Sequence, residues 1–158
     1  MRAMRRFLAV LVAVAVAAST AAAAHVPLAK TDGAVALQLF DGAGVASVRN
    51  RGNFFGQVKH GKIVATSNVR VNGCESKTKL SGNMVRCKGD AITFNTIGID
   101  RWRLRLRGRG IYGSGFVSGC LVLDGRDRGS TGTYRRGDNE PKAWPRSRKR
   151  FELGTGTC

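Results

Sequence analysis

Histidine is almost absent from this sequence: His25 and His60 are the only two in 158 residues. General acid–base and nucleophilic centres draw on histidine more than on any other side chain. Their scarcity argues against an enzyme of that kind. Acidic residues are also few, 10 against 27 Lys and Arg, for a formal net charge of +17. With so few carboxylates, a paired-carboxylate site or an acidic metal loop has little to draw on. Asp124-x-x-Asp127 and Asp138-x-Glu140 are the nearest approaches, and neighbouring arginines oppose a cation at each. No Cys-x-x-Cys pair occurs, so a structural zinc site is not expected and no metal or cofactor is implied. Proline occurs three times and glycine follows no three-residue period, which excludes a collagen-like chain.

What is present begins with an address. Residues 1–24 read MRAMRRFLAVLVAVAVAASTAAAA. Arg2, Arg5 and Arg6 form a positive leader, residues 7–18 an apolar stretch, and Ala22-Ala23-Ala24 a small-residue cleavage site. The apolar stretch is short for a spanning helix, which needs ~20 residues. The expectation is a cleaved export signal, followed by one secreted domain over residues 25–158. The product would be secreted or associated with the cell envelope.

Cys74, Cys87, Cys120 and Cys158 all lie beyond that signal. An even number of cysteines in a small exported domain points to two disulfides. Three pairings are open. The favoured one joins Cys74 to Cys87 as a local staple and Cys120 to Cys158 as an anchor for the last segment.

Beyond Lys30 no helical periodicity is sustained. Short alternating runs are separated by Gly-containing turns such as Asp41-Gly42, Asn72-Gly73, Gly89-Asp90 and Gly137-Asp138. Strands are expected at 34–40, 45–49, 54–59, 62–66, 84–87, 91–95, 101–107, 111–117, 120–123, 131–135 and 150–153. The fold class is therefore all-β, an antiparallel sandwich or small barrel. A slide of the chain by 58 residues adds internal similarity. Val48-Arg49 then meets Leu106-Arg107, Arg51-Gly52 meets Arg109-Gly110, Phe54 meets Tyr112, Val58 meets Phe116 and Gly61 meets Gly119. This predicts two similar three-stranded meanders, with tight turns at His60-Gly61 and Ser118-Gly119. In the first, Val58 would pair with Ile63. In the second, Phe116 would pair with Leu121, while Val117, Cys120 and Val122 share a face covered by the carboxy-terminal segment.

Arg105-Leu106-Arg107-Gly108-Arg109-Gly110-Ile111, Ser114-Gly115, Gly119, Trp144-Pro145 and Phe151-Glu152-Leu153-Gly154 resemble a family of uncharacterised exported bacterial all-β proteins. The resemblance implies an exported all-β domain. It brings no activity, substrate or catalytic residue, and the four cysteines are not part of its pattern.

The sharpest chemical feature is the run from Arg101 to Arg109, RWRLRLRGR. On a strand, Trp102, Leu104 and Leu106 face the core, while Arg101, Arg103, Arg105, Arg107 and Arg109 stand on the other face, roughly 7 Å apart. Like charges so arranged repel unless solvent, salt or a bound polyanion offsets them. Such a face is also an ordinary solvated strand that resists edge aggregation. Arg146, Arg148, Lys149 and Arg150 form a second basic cluster. If both clusters shared one side, they would attract anions over long range. The expected function is non-enzymatic association with an anionic polymer: a wall phosphate polymer, anionic lipid or extracellular nucleic acid. The alternative is a secreted interaction, inhibitor or structural wall-associated protein that presents the stapled loop between Cys74 and Cys87.

Overall fold

A computed structural model describes residues 33–126 and 129–158. The export signal expected at residues 1–24 lies outside the described residues, as do His25, Asp32 and Asp127.

Every regular element among the described residues is a β-strand. In chain order they are β1 (Ala34–Asp41), β2 (Gly44–Thr66), β3 (Arg70–Asn72), β4 (Ser76–Leu80), β5 (Met84–Asn95), β6 (Trp102–Gly125), β7 (Thr131–Arg136), β8 (Lys142–Ala143) and β9 (Lys149–Leu153). All pairings are antiparallel, in one 9-stranded sheet whose main path runs β3-β5-β2-β6-β1-β7-β8 and does not close into a barrel. The fold is all-β and antiparallel, as the alternation and turn spacing imply.

Two long strands organise the sheet. β2 has 23 residues and β6 has 24. They pair along their whole length, from Gly44 opposite Gly125 to Ala65 opposite Leu104. Each bends twice, so each has three straight runs: 44–49, 53–58 and 62–66 in β2, and 102–107, 111–117 and 120–125 in β6. The bends bring the first run of β2 beside the first run of β6 as well, with Ser47 opposite both Arg105 and Val122. The sheet is thereby folded over on itself. One layer reads β8, β7, β1, the middle run of β6, the middle run of β2, the end of β5 and β3. The other reads β9, the last run of β6, the first run of β2, the first run of β6, the last run of β2, the start of β5 and β4.

Sharp folding requires backbones to approach closely. At the second bend Gly61 stands opposite Gly108. Their φ angles are 151° and 149°, and a Cβ on either would lie 2.2 Å or less from a carbonyl oxygen of the facing strand. Only glycine fits both demands.

The 58-residue similarity therefore relates β2 to β6 run by run, but not as meanders. The chain passes through His60-Gly61 and Ser118-Gly119 without reversing, and Gly89-Asp90 lies inside β5. Val58 stands opposite Ile92 and Ile111 rather than Ile63. The conformational freedom of these glycines serves to bend a continuous strand, where a turn would use the same freedom to reverse the chain. A second consequence concerns faces. At the Gly61/Gly108 bend alternation skips one residue on both strands, and at the other bend it does not. A one-residue slip turns every following side chain to the opposite face. The middle runs thus fall out of phase. Phe54 and Val58 are fully buried, while their counterparts Tyr112 and Phe116 are 42% and 65% exposed.

The core fills the space between the layers. Trp102, Leu104 and Leu106 are buried there, as the alternation requires, with Phe54, Val58, Ile63, Ile111 and Leu121. The Trp102 indole stacks on Phe54, centroids 6.2 Å apart, and its Nε1–H donates to the Gly52 carbonyl at 2.9 Å. That bond satisfies a buried donor and ties the first run of β6 to the first bend of β2.

Both favoured cysteine pairs are joined, Cys74 to Cys87 and Cys120 to Cys158. The first staples a hairpin in which β4 pairs with the start of β5, so the segment between those cysteines is a regular hairpin rather than an irregular loop. The second holds the carboxy-terminal segment, with a corrected geometry. β9 pairs edge-to-edge with Gly119–Leu123 instead of lying across a face. Val117 points into the core, whereas Cys120 and Val122 point outward, because no turn at 118–119 resets the alternation.

Candidate anion-binding groove

The outward side of the second layer carries the arginines of the run Arg103–Arg107. Arg101, Arg103, Arg105, Arg107 and Arg109 are all exposed, while Trp102, Leu104 and Leu106 beneath them are buried. The strand register then sets their neighbours. Across the layer, Arg150, Val122, Ser47, Arg105, Val64 and Arg86 form one row; Arg49 stands opposite Arg103, and Lys62 opposite Arg107.

A groove of about 360 Å³ runs over this surface. Its floor is Ser47, Val64, Met84 and Val122, and its rim is Arg49, Arg103, Arg105, Arg148 and Arg150. A smaller hollow of about 150 Å³ adjoins it, sharing Arg105 and Arg148 and ending at Asp124 and Arg126. Arg103 and Arg105 are thus brought to one concavity with Arg148 and Arg150, more than forty positions away in sequence, because β9 pairs with the last run of β6.

Not every expected residue joins them. Arg101 lines a separate cleft of about 400 Å³ with Arg51 and the segment Thr155–Thr157. Arg109 stands opposite His60 beyond the bend. Lys149 shares alternation with Phe151 and Leu153, away from Arg148 and Arg150, and neither it nor Arg146 lines the groove. Arg107 continues the patch through Lys62.

Counter-charge is sparse. Among the described residues, none of Arg103, Arg105, Arg107, Arg148 and Arg150 pairs with a carboxylate. Asp124 faces Arg126 at 3.5 Å, and Asp90 faces His60 Nδ1 at 2.8 Å. The Arg49 guanidinium donates to the Cys158 carbonyl oxygen. Arg86 Nε is buried with no acceptor among the described residues. The Lys62 ammonium is held below its ordinary pKa, first by partial burial and then by the like charges of Arg107, Arg86, Lys88 and Arg105. Among the described residues, the surface is therefore a field of positive charge with few carboxylate partners.

Chemically, guanidinium forks at this density hold phosphate, sulfate or carboxylate oxygens in bidentate fashion. The apolar floor supports the aliphatic arginine stems and keeps the forks raised. Arg49, Lys62, Arg86 and Lys88 escape a reading from sequence. Their signal is the continuity of β2: a strand running through Arg49 to Thr66 places Arg49 and Lys62 on either side of the arginine strand.

The chain matches no protein-family model, no curated protein and no solved structure.

Proposed function

We propose that this protein is an exported, non-enzymatic anion-binding domain, and that the arginine groove is its binding surface. The observation that supports this most directly is the convergence of Arg103 and Arg105 with Arg148 and Arg150 around one concavity, none of them paired with a carboxylate among the described residues. Export is supported by the leader at residues 1–24 and by two disulfides, which persist in oxidising compartments. The anions available there are phosphate polymers of the envelope, lipid headgroups and extracellular nucleic acid. The resemblance to exported bacterial all-β proteins agrees with this placement.

The test is retention on heparin and on a phosphate polymer. Wild-type protein elutes late and in a salt-dependent manner. Arg103→Ser/Arg105→Ser/Arg148→Ser/Arg150→Ser elutes early, although a charge-matched variant at Arg70, Arg101, Arg135 and Arg136 does not. Equal elution of the two variants would reject the groove and leave only bulk charge.

A further inference from the structure

All five large apolar side chains exposed among the described residues, Phe40, Phe55, Ile97, Tyr112 and Phe116, lie on or border the outward side of the first layer. That side carries fewer cations than the arginine groove, with Arg70 and Arg135 at the two ends of one of its rows. Its register makes two rows across four strands. Tyr112, Gln57, Thr93 and Asn72 stand side by side in one row, and Ser114, Phe55, Asn95 and Arg70 in the next. Phe55 and Tyr112 are thus diagonal neighbours on adjacent strands, within reach of one bound ring system.

A broad, shallow concavity of about 620 Å³ covers them, lined by Phe55, Tyr112, Gln57, Asn72, Thr93 and Asn95, with Ile97 at its border. No lining side chain is charged, in a chain of net charge +17. The side-chain amides of Gln57 and Asn72 and the Thr93 hydroxyl have no protein hydrogen-bond partner among the described residues. Asn95 Oδ1 accepts from the Ile97 amide at 2.8 Å, which fixes that side chain and leaves its NH₂ group to donate outward.

We infer that this face is a second binding site, for a neutral carbohydrate chain. The chemistry matches on each count. A sugar ring offers apolar C–H faces that lie on aromatic rings, whose faces are electron-rich. Its hydroxyls both donate and accept, as amides and hydroxyls do. A few convergent polar groups in a mostly apolar concavity is the usual form of a ligand site. Charge weighs against the other occupants. Stacked nucleobases bring phosphates, which need cations in the site, and none lines the concavity itself; Arg70 and Arg135 stand outside it, at the ends of the second row. A second copy would bring together two strongly positive chains. The inference does not rest on the arginine groove, and the two sites lie on opposite sides of the folded sheet.

The experiment is titration of the full exported chain with hexasaccharides of glucose, mannose and N-acetylglucosamine, read by calorimetry and by retardation in gels containing the matching polysaccharides. At least one neutral glycan binds, and raising the salt leaves that binding unchanged. Tyr112→Ala and Phe55→Ala each weaken it by about tenfold or more, as loss of a stacking platform does. Phe55→Trp retains it, and heparin elution is unaltered in all three variants. Absence of binding across the panel, or binding indifferent to both alanine variants, would overturn the inference. So would a concentration-dependent dimer that Phe116→Ser dissociates, which would assign the face to a second copy.

Discussion

The two outward faces of the folded sheet are built from the same pair of strands, yet they differ in nearly everything. In the second layer, the first run of β6 turns Arg103, Arg105 and Arg107 to solvent. One bend later, the middle run of the same strand turns out Tyr112, Ser114 and Phe116. The backbone pattern is the same; the chemistry is not. The difference is set at the Gly61/Gly108 bend, where alternation slips and aromatic positions that face inward on β2 face outward on β6. A small backbone event thus determines which side chains reach solvent.

The largest expected effect comes from breaking that bend. Gly108→Val places a Cβ about 2.0 Å from the His60 carbonyl oxygen in a backbone conformation unsuited to a branched residue. Destabilisation of at least about 3 kcal/mol is expected, by close contact together with backbone strain. Both faces should be lost together in chemical denaturation followed with parallel heparin and glycan assays. Loss of one alone would show that the layers fold independently. Trp102→Ala comes next. It empties the stack on Phe54 and removes the bond to Gly52, for about 3–5 kcal/mol. Arg103→Ser, the next residue on the outward side, should change stability by less than about 0.5 kcal/mol. This contrast between neighbours, measured by denaturant midpoint, tests the assignment of inner and outer faces directly.

The contrast between layers also marks what the sequence discloses. Alternation in RWRLRLR is strong because the two faces differ as much as side chains can, so the buried Trp102, Leu104 and Leu106 are legible. Both disulfides are legible from cysteine count and context. Strand continuity is not. A glycine in a strand pattern reads as a turn, since bending and reversal draw on the same conformational freedom. That ambiguity splits β2 and β6 on paper, pairs Phe116 with Leu121, and hides Arg49 and Lys62 from the arginine strand. The short β3, β4 and β8 lack apolar alternation of their own; each pairs along the edge of a longer strand, a long-range event no local window records. The convergence of Arg148 and Arg150 with Arg103 and Arg105 depends on β9 pairing with β6, so it too lies beyond local pattern.

At the arginine groove, the fourfold serine variant offers a finer measurement than elution. With a DNA duplex as polyanion probe, the salt slope of log affinity should fall by roughly 0.9 for each phosphate that the variant no longer neutralises. The same variant should leave the glycan interaction of the first layer unchanged. A fall in both would mean that the faces are coupled or that the variant is misfolded, which its denaturation midpoint distinguishes.

The smallest effect is the most specific to charge. Lys62 has a folded-state pKa below its unfolded value, through burial and then Arg107, Arg86, Lys88 and Arg105. Between those two values the unfolded chain binds the extra proton, so stability rises with pH across that window. Below the folded pKa the ammonium carries its full penalty; above the unfolded value near 10.5 the penalty has gone. Lys62→Gln should therefore be slightly more stable than wild type at neutral pH, by about a few tenths of a kcal/mol, because solvent screens a partly exposed side chain. The advantage should shrink as pH is raised towards 10.5. Polyphosphate supplies the missing counter-charge and should stabilise the wild type more than Lys62→Gln, by mass action on the folded state. Thermal melts at two pH values, with and without polyphosphate, read all of this. An advantage that persists unchanged at alkaline pH would assign it to side-chain packing rather than to repulsion, and the positive field around Arg107 would then be weaker than its geometry implies.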